Sequence, residues 1–349
     1  MTRKNIFFRV DSSFELGFGH LNRCLIFAKI FQKKKIRVHF ICKNLKGNLT
    51  SEIKARGFNI HLIKNLKNST YYDYQNTRKI LKKYEGDISY LVIDNYDWSK
   101  KYEKKLRSIV KKIMVIDDLA NREHDCDLIL DQNFYVDFKH RYDKLVPKNC
   151  QKLLGPRFVL LRKEFLTSRR KMKISRLKKI FISFGGQDTS NETIKVLRAI
   201  KNSKLEYETI NFVIRKSNKN LKRLKILSKE MNGIKIFTVV NKISKIMENS
   251  DLSIGAGGSM TWERAYLGIP AVVSIISKNQ LEITNTMEKK GCIYNMGWAR
   301  DVTISDYEKI FQKIKIKDLN TMSGKNKKLV DGRGISRINK KIFSALIKQ

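Results

Sequence analysis

The sequence predicts an α/β protein of two domains, each a parallel sheet wrapped by helices. Three observations carry this. The chain has 349 residues, more than a single hydrophobic core usually serves. Short apolar runs alternate along it with charged stretches of helical period. Near residue 179 the alternation starts afresh with the strand, glycine turn and helix that also open the chain. A hydrophobic content of 42% is ample for two cores.

In the first half the strand-like runs are 6–10, 38–42, 60–63, 90–93, 114–116 and 128–130, separated by helix-period stretches such as 77–84 and 102–112. The first run leads into Asp11-Ser12-Ser13 and Gly17-Phe18-Gly19-His20, after which Leu21, Leu25, Ala28 and Phe31 recur at helical spacing. This is a strand-to-helix loop whose glycines let backbone come close to a ligand. His20 stands at the helix start, where free N–H groups and the positive dipole end favour an anion and a neutral imidazole. Three later strands close on Asp94-Asn95-Tyr96, Asp117-Asp118 and Asp131-Gln132-Asn133. In open parallel sheets ligands bind beyond the carboxyl ends of strands, so these groups share a rim with the opening loop.

Between 147 and 179 the period weakens, with Gly155-Pro156 as a turn and a basic run over 169–179. The expected organisation is a first domain at 1–155, a linker at 156–178, a second domain at 179–320, and a helical segment at 321–349 that packs back on the first domain. In the second domain, run 180–184 is followed by Gly185-Gly186-Gln187-Asp188 and a helix over 192–200. Further strands are expected at 210–214, 234–240, 252–254 and 271–276.

The formal net charge of +40 raises the question of nucleic acid or an anionic membrane. Lysines are spread along the whole chain and no nucleic-acid-binding motif accompanies them, so nonspecific nucleic-acid binding is a distant alternative. An anionic small substrate fits the charge equally well. No apolar run reaches about eighteen residues and the N-terminus lacks a signal-peptide core, so a cytoplasmic protein without membrane insertion is expected. The five cysteines form no Cys-x-x-Cys pair, which argues for reduced thiols and against a zinc site. Asp125-Cys126-Asp127 resembles a metal-binding string but runs into an apolar strand, and the remaining histidines lack ligand spacing, so no metal is expected. The oligomeric state is left open, and a monomer is compatible with the sequence.

The strongest local constellation is Ser253-Ile254-Gly255-Ala256-Gly257-Gly258-Ser259-Met260-Thr261-Trp262-Glu263-Arg264-Ala265, in which glycines and hydroxyls follow a strand and open a helix. Exposed N–H groups at Gly257, Gly258 and Ser259 can cradle a diphosphate without a metal. Glu263, a turn further on, is of the type that accepts hydrogen bonds from a ribose diol. The other reading of the same glycines is tight strand–helix packing. Gly185 and Gly186 repeat the pattern, and Asn279-Gln280 offers amides to a sugar, with a helix N-cap as the other role of Asn279.

Taken in order, these motifs resemble the PseG-like family of nucleotide-sugar hydrolases. The resemblance also takes in Gly155-Pro156-Arg157, Leu160-Leu161-Arg162, Trp262-Glu263 and Asp331-Gly332-Arg333-Gly334. It implies a GT-B-type fold related to MurG-like glycosyltransferases, two Rossmann-like domains with parallel sheets facing an interdomain cleft. It further implies hydrolysis of UDP-2,4-diacetamido-2,4,6-trideoxy-β-L-altropyranose, in pseudaminic acid biosynthesis and without a cofactor. His20 would activate the water, Asp94 and Tyr96 would orient water or sugar, and Asp11, Ser13, Gly17 and Gly19 would line the sugar side. Gly185, Gly186, Gly257, Gly258, Ser259 and Glu263 would hold the UDP side, and Asn279 and Gln280 would offer amides to the sugar. A glycosyltransferase using the same UDP-sugar for surface polysaccharide is the competing enzyme.

Overall fold

The computed structural model describes residues 4–13, 15–64, 69–168, 173–185, 188, 190–203 and 205–347. The chain divides into two units, one of residues 1–160 with 333–349 and the other of residues 161–332.

The first unit is a seven-stranded parallel sheet in the order β3-β2-β1-β4-β5-β6-β7. Its strands are β1 (Asn5–Val10), β2 (Arg37–Lys43), β3 (Asn59–Ile63), β4 (Ile88–Asp94), β5 (Ile113–Ile116), β6 (Leu128–Asp131) and β7 (Gln151–Leu154). Helices α1 (Gly19–Lys33), α2 (Thr50–Ala55), α3 (Thr70–Lys82) and α4 (Lys100–Leu106) connect them. All six residues of β1 are buried, as expected of a central parallel strand covered on both faces. Alternate residues feed two cores: Ile6, Phe8 and Val10 join Leu21, Leu25 and Phe31 of α1, while Phe7 joins Tyr74 and Leu81 of α3.

The second unit holds α5 (Lys163–Leu166) and a six-stranded parallel sheet in the order β10-β9-β8-β11-β12-β13. Its elements are β8 (Lys179–Ser183), α6 (Glu192–Asn202), β9 (Thr209–Val213), α7 (Leu221–Leu227), β10 (Ile234–Phe237), α8 (Ile243–Glu248), β11 (Leu252–Ala256), α9 (Met260–Leu267), β12 (Ala271–Ile275), α10 (Leu281–Lys289), β13 (Tyr294–Trp298), α11 (Ile304–Lys313) and α12 (Ile316–Leu329). The chain then returns to the first unit as α13 (Gly334–Ile347), whose Ile338 and Ile342 are buried in the α1 core.

Both sheets reverse their strand order once, at β1/β4 and at β8/β11. Such switch points open a crevice at the carboxyl ends of the strands. The unit boundaries fall at 160/161 and 332/333, where the sequence led us to expect 155, 178 and 320. The segment over 161–168 packs within the second unit, with Phe165 fully buried and Arg162 paired to Glu263, and α12 packs there as well, Leu319 being fully buried. Strands β7 and β13 have no counterpart among the expected ones. Both lie at sheet edges, where residues are only partly covered and no apolar run marks them.

Candidate active site

In the first unit, the loop after β1 and the end of β4 meet at the switch point, with Val10 in register with Asp94. The loop folds on itself: the Gly17 N–H donates to the Ser13 carbonyl and the Leu16 N–H to Ser13 Oγ, both at 3.0 Å. Gly17 has φ +75°, a conformation that side-chain-bearing residues rarely adopt. Gly19 begins α1 with open space around its Cα, so nothing crowds the approach to the helix start.

His20, in the first turn of α1, donates from Nδ1 to Asp94 Oδ1 at 2.6 Å. Since Asp94 is a carboxylate, the proton of a neutral ring sits on Nδ1 and Nε2 carries the lone pair. Burial alone would raise the Asp94 pKa, yet Arg23 and then His20 hold it well below the usual carboxylate range. Arg23 donates from Nε to Asp94 Oδ2 and from Nη2 to Asp94 Oδ1, both at 2.6 Å, and from Nη1 to Asp118 Oδ2 at 3.0 Å. Tyr96 donates its hydroxyl proton to Asp118 Oδ1 at 2.6 Å, and its ring meets His20 edge-on at 4.7 Å. Sequence reasoning brought out His20, Asp94, Tyr96 and Asp118 and missed Arg23. Its one signal was a charged residue three positions after His20, on a helix flank that otherwise buries Leu21, Cys24 and Phe27.

Asp11 proves to be scaffold. Its two oxygens accept from Arg9 Nη1 (2.7 Å) and Nη2 (2.8 Å), from the Lys43 N–H (2.7 Å) and from Asn95 Nδ2 (3.2 Å), which fills its acceptor positions. Arg9, fully buried in β1, also donates from Nε to Asp73 of α3 at 2.8 Å. This network fixes the root of the loop. Asp125 and Asp127 are also structural: Arg107 pairs with Asp125 at 3.1 Å and Lys112 with Asp127 at 2.8 Å. Asp131, in contrast, is pushed up to about 7, by burial first and by Asp118 and Asp117 further down the order of causes.

In the second unit, Gly257, Gly258 and Ser259 link β11 to α9 at the second switch point, with Gln280 packed beside them. A Cβ on Gly257 would lie 2.6 Å from Thr284 Oγ1, and one on Gly258 would lie 3.7 Å from Gln280 Nε2. Gln280 Oε1 accepts from the Ile276 N–H at 3.2 Å, while Ser259 and Asn279 are exposed, Asn279 Oδ1 accepting from Ser277 Oγ. Glu263 is not open to solvent: Arg162 holds both its oxygens, at 2.7 and 2.9 Å, and burial raises its pKa against that pairing. Gly185 follows β8 with φ +84° and is exposed; Gly186 lies outside the described residues. Arg264 lies in the constellation that the sequence singles out, with no role assigned to it there. Burial brings it down to about 10, and it pins the loop by donating from Nη2 to the Ala256 carbonyl at 2.8 Å and Thr261 Oγ1 at 3.0 Å.

Two parallel sheets with switch-point loops of this kind define a GT-B-type protein. The crystal structure of MurG from Acinetobacter baumannii matches with a TM-score of 0.72 over 98% of this chain and 99% of that one, at 12% identity. A glycosyltransferase from Rickettsia africae matches with a TM-score of 0.61 over 100% of both chains, at 13% identity. A family described as a protein of unknown function (DUF354) matches residues 166–330. The UDP-2,4-diacetamido-2,4,6-trideoxy-β-L-altropyranose hydrolase of Campylobacter jejuni is 31% identical over 290 residues, 82% of this chain and 97% of that protein. The chain belongs to that hydrolase family. No helix among the described residues is long and apolar enough to cross a membrane.

Proposed function

We propose that this chain hydrolyses UDP-2,4-diacetamido-2,4,6-trideoxy-β-L-altropyranose, with His20 as the base. The observation that carries the reading is the His20 Nδ1–Asp94 Oδ1 contact of 2.6 Å at the β1/β4 switch point, which leaves Nε2 to take a proton. The pairing orients a neutral imidazole as carboxylate–histidine pairs do in other hydrolases.

Water bonded to Nε2 attacks the anomeric carbon. The new C1–O bond forms as the C1–O(phosphate) bond breaks, the water proton passes to His20, and the electron pair leaves with UDP. Backside attack inverts the anomeric centre. A diphosphate leaves readily, so the reaction needs less general-acid help than glycoside cleavage. On the second unit, the N–H groups of Gly257, Gly258 and Ser259 are the donors for the diphosphate, Gln280 and Asn279 are the amides beside it, and Glu263, held by Arg162, supports the loop from behind. Ser13, Gly17 and Gly19 shape the sugar side.

The test is product analysis by NMR with the UDP-sugar and no acceptor or divalent metal. The expected products are UDP and a free sugar of inverted anomeric configuration. UDP release that requires an acceptor would make the chain a transferase. His20→Ala should bind UDP as the parent does while losing about 100-fold or more in turnover; an unchanged rate removes His20 as the base.

A further inference from the structure

We infer that Arg23 is the positioning residue of this site: one guanidinium locks the His20–Asp94 pair and the Tyr96–Asp118 pair into a single unit and keeps His20 free to accept a proton. The inference rests on the hydrolase reading above and assigns a role to a residue outside it.

Two features of the geometry carry it. The first is connectivity. Arg23 grips Asp94 with a two-toothed fork, Nε and Nη2 each at 2.6 Å, and reaches Asp118 with Nη1 at 3.0 Å. Asp94 Oδ1 then takes His20, and Asp118 Oδ1 takes Tyr96. The planar fork sets the plane of the Asp94 carboxylate, and that plane sets the direction in which His20 points Nε2. Tyr96 commits its hydroxyl proton to Asp118.

The second feature is charge. A buried carboxylate beside a histidine favours the imidazolium, which cannot act as a base. Here Arg23 Nη2 stands 3.0 Å from His20 Nδ1, both nitrogens being donors, and the cation opposes a second positive charge at the ring. The groups facing His20 are Asp94 and Tyr96 from the β4 end and Arg23 from its own helix. Behind them stand Asp118 after β5 and the Cys24 thiol, 3.4 Å from Asp94 Oδ2. Of these, Arg23 alone is cationic.

Two substitutions separate connectivity from charge. Arg23→Lys keeps the cation and loses the fork; Arg23→Gln loses both. For R23K the expected result is turnover lowered about tenfold with the acid limb of the pH–rate profile unmoved. For R23Q it is a larger loss of kcat, KM within about threefold of the parent, and an acid limb displaced upward by about one pH unit, since Asp94 then favours the imidazolium unopposed. A residue that merely supports the fold would alter melting and kcat and leave the acid limb in place, and that result in a folded R23Q overturns the charge role. If R23Q does not fold, R23K decides: undiminished turnover overturns the positioning role. Should the parent chain itself release no UDP, the hydrolase reading fails separately. NMR titration of the His20 ring in the free protein then judges Arg23: a midpoint higher in R23Q than in the parent supports the role, and coincident midpoints overturn it.

Discussion

At the scale of single residues, charge in this protein is spent on rigidity as much as on chemistry. Arg9, Asp11 and Asp73 form a buried network under the loop between β1 and α1, and Arg162 occupies Glu263 from 101 positions away. Neither partnership was legible in the sequence, because an ion pair across strands or between distant segments leaves no local period. His20, Asp94 and Tyr96 were legible, since each follows directly from a strand end. His39 and His61 are used as neutral packing groups. His39 in β2 stacks on Phe7 at 4.5 Å, contacts His61 through Nδ1 at 3.1 Å and Asn5 through Nε2 at 3.2 Å. Burial, with His61 and Arg37 adding to it, pushes its pKa down to about 4. An unfolded histidine binds its proton near 6.5, so the unfolded state holds more protons between these values. The stability that neutral His39 contributes is therefore present above about 6.5 and lost as pH falls toward 4. Between pH 7 and pH 5 the stability advantage of the parent over His39→Gln should shrink by about 2 kcal/mol, as read from urea midpoints. An advantage that does not vary with pH would show that His39 is not held neutral by the fold.

At the scale of elements, both units use the same device, a parallel sheet whose central strands end in glycine-bearing loops at a switch point. The central strands were legible because burial on both faces gives unbroken apolar runs; β7 and β13 were not, because Gln151-Lys152 and Asn295 with Gly297 break their apolar pattern, whereas the edge strands β3 and β10 keep enough of theirs. The glycines of the loop between β11 and α9 admitted two readings, ligand approach or close packing, and the geometry adds a measurable packing component. A Cβ on Gly257 would sit 2.6 Å from the buried Thr284 Oγ1 of α10, a contact side chains do not tolerate. Gly257→Ala should cost about 1–3 kcal/mol in urea unfolding. Adding Thr284→Ala removes the atom in the way and should recover most of that cost, so the double variant is more stable than the sum of the singles implies. Simple additivity would exclude the contact as the reason for glycine there. Gly332 and Gly334 flank the return to the first unit for a similar reason: added Cβ atoms would meet the Tyr266 ring at 2.5 Å and the Val159 carbonyl at 2.2 Å.

At the scale of the whole molecule, the chain order and the folding units do not coincide. Residues 333–349 belong with residues 1–160, so the first unit is built from two stretches of the chain that the second unit separates. Sequence pattern marked a helical tail; its burial is what ties it to one unit, because α13 offers Ile338 and Ile342, both essentially unexposed, to the core beneath α1. Phe343 adds a ring contact to Phe31 at 5.8 Å. Truncating a buried isoleucine to alanine usually costs about 2–5 kcal/mol, a large part of the roughly 5–15 kcal/mol that holds an ordinary domain folded. The pair Ile338→Ala and Ile342→Ala should thus weaken the first unit selectively. The chain carries three tryptophans, and their placement makes this measurable: Trp98 is fully buried in the first unit, while Trp262 and Trp298 belong to the second. In a background with Trp262 and Trp298 replaced by phenylalanine, the Trp98 fluorescence transition in urea should move to clearly lower denaturant when the two isoleucines are truncated. In the complementary Trp98→Phe background, the transition reported by Trp262 and Trp298 should move much less. Equal displacement of both transitions would mean that the units unfold as one, and an unmoved Trp98 transition would mean that the C-terminal helix contributes nothing to the sheet that carries His20.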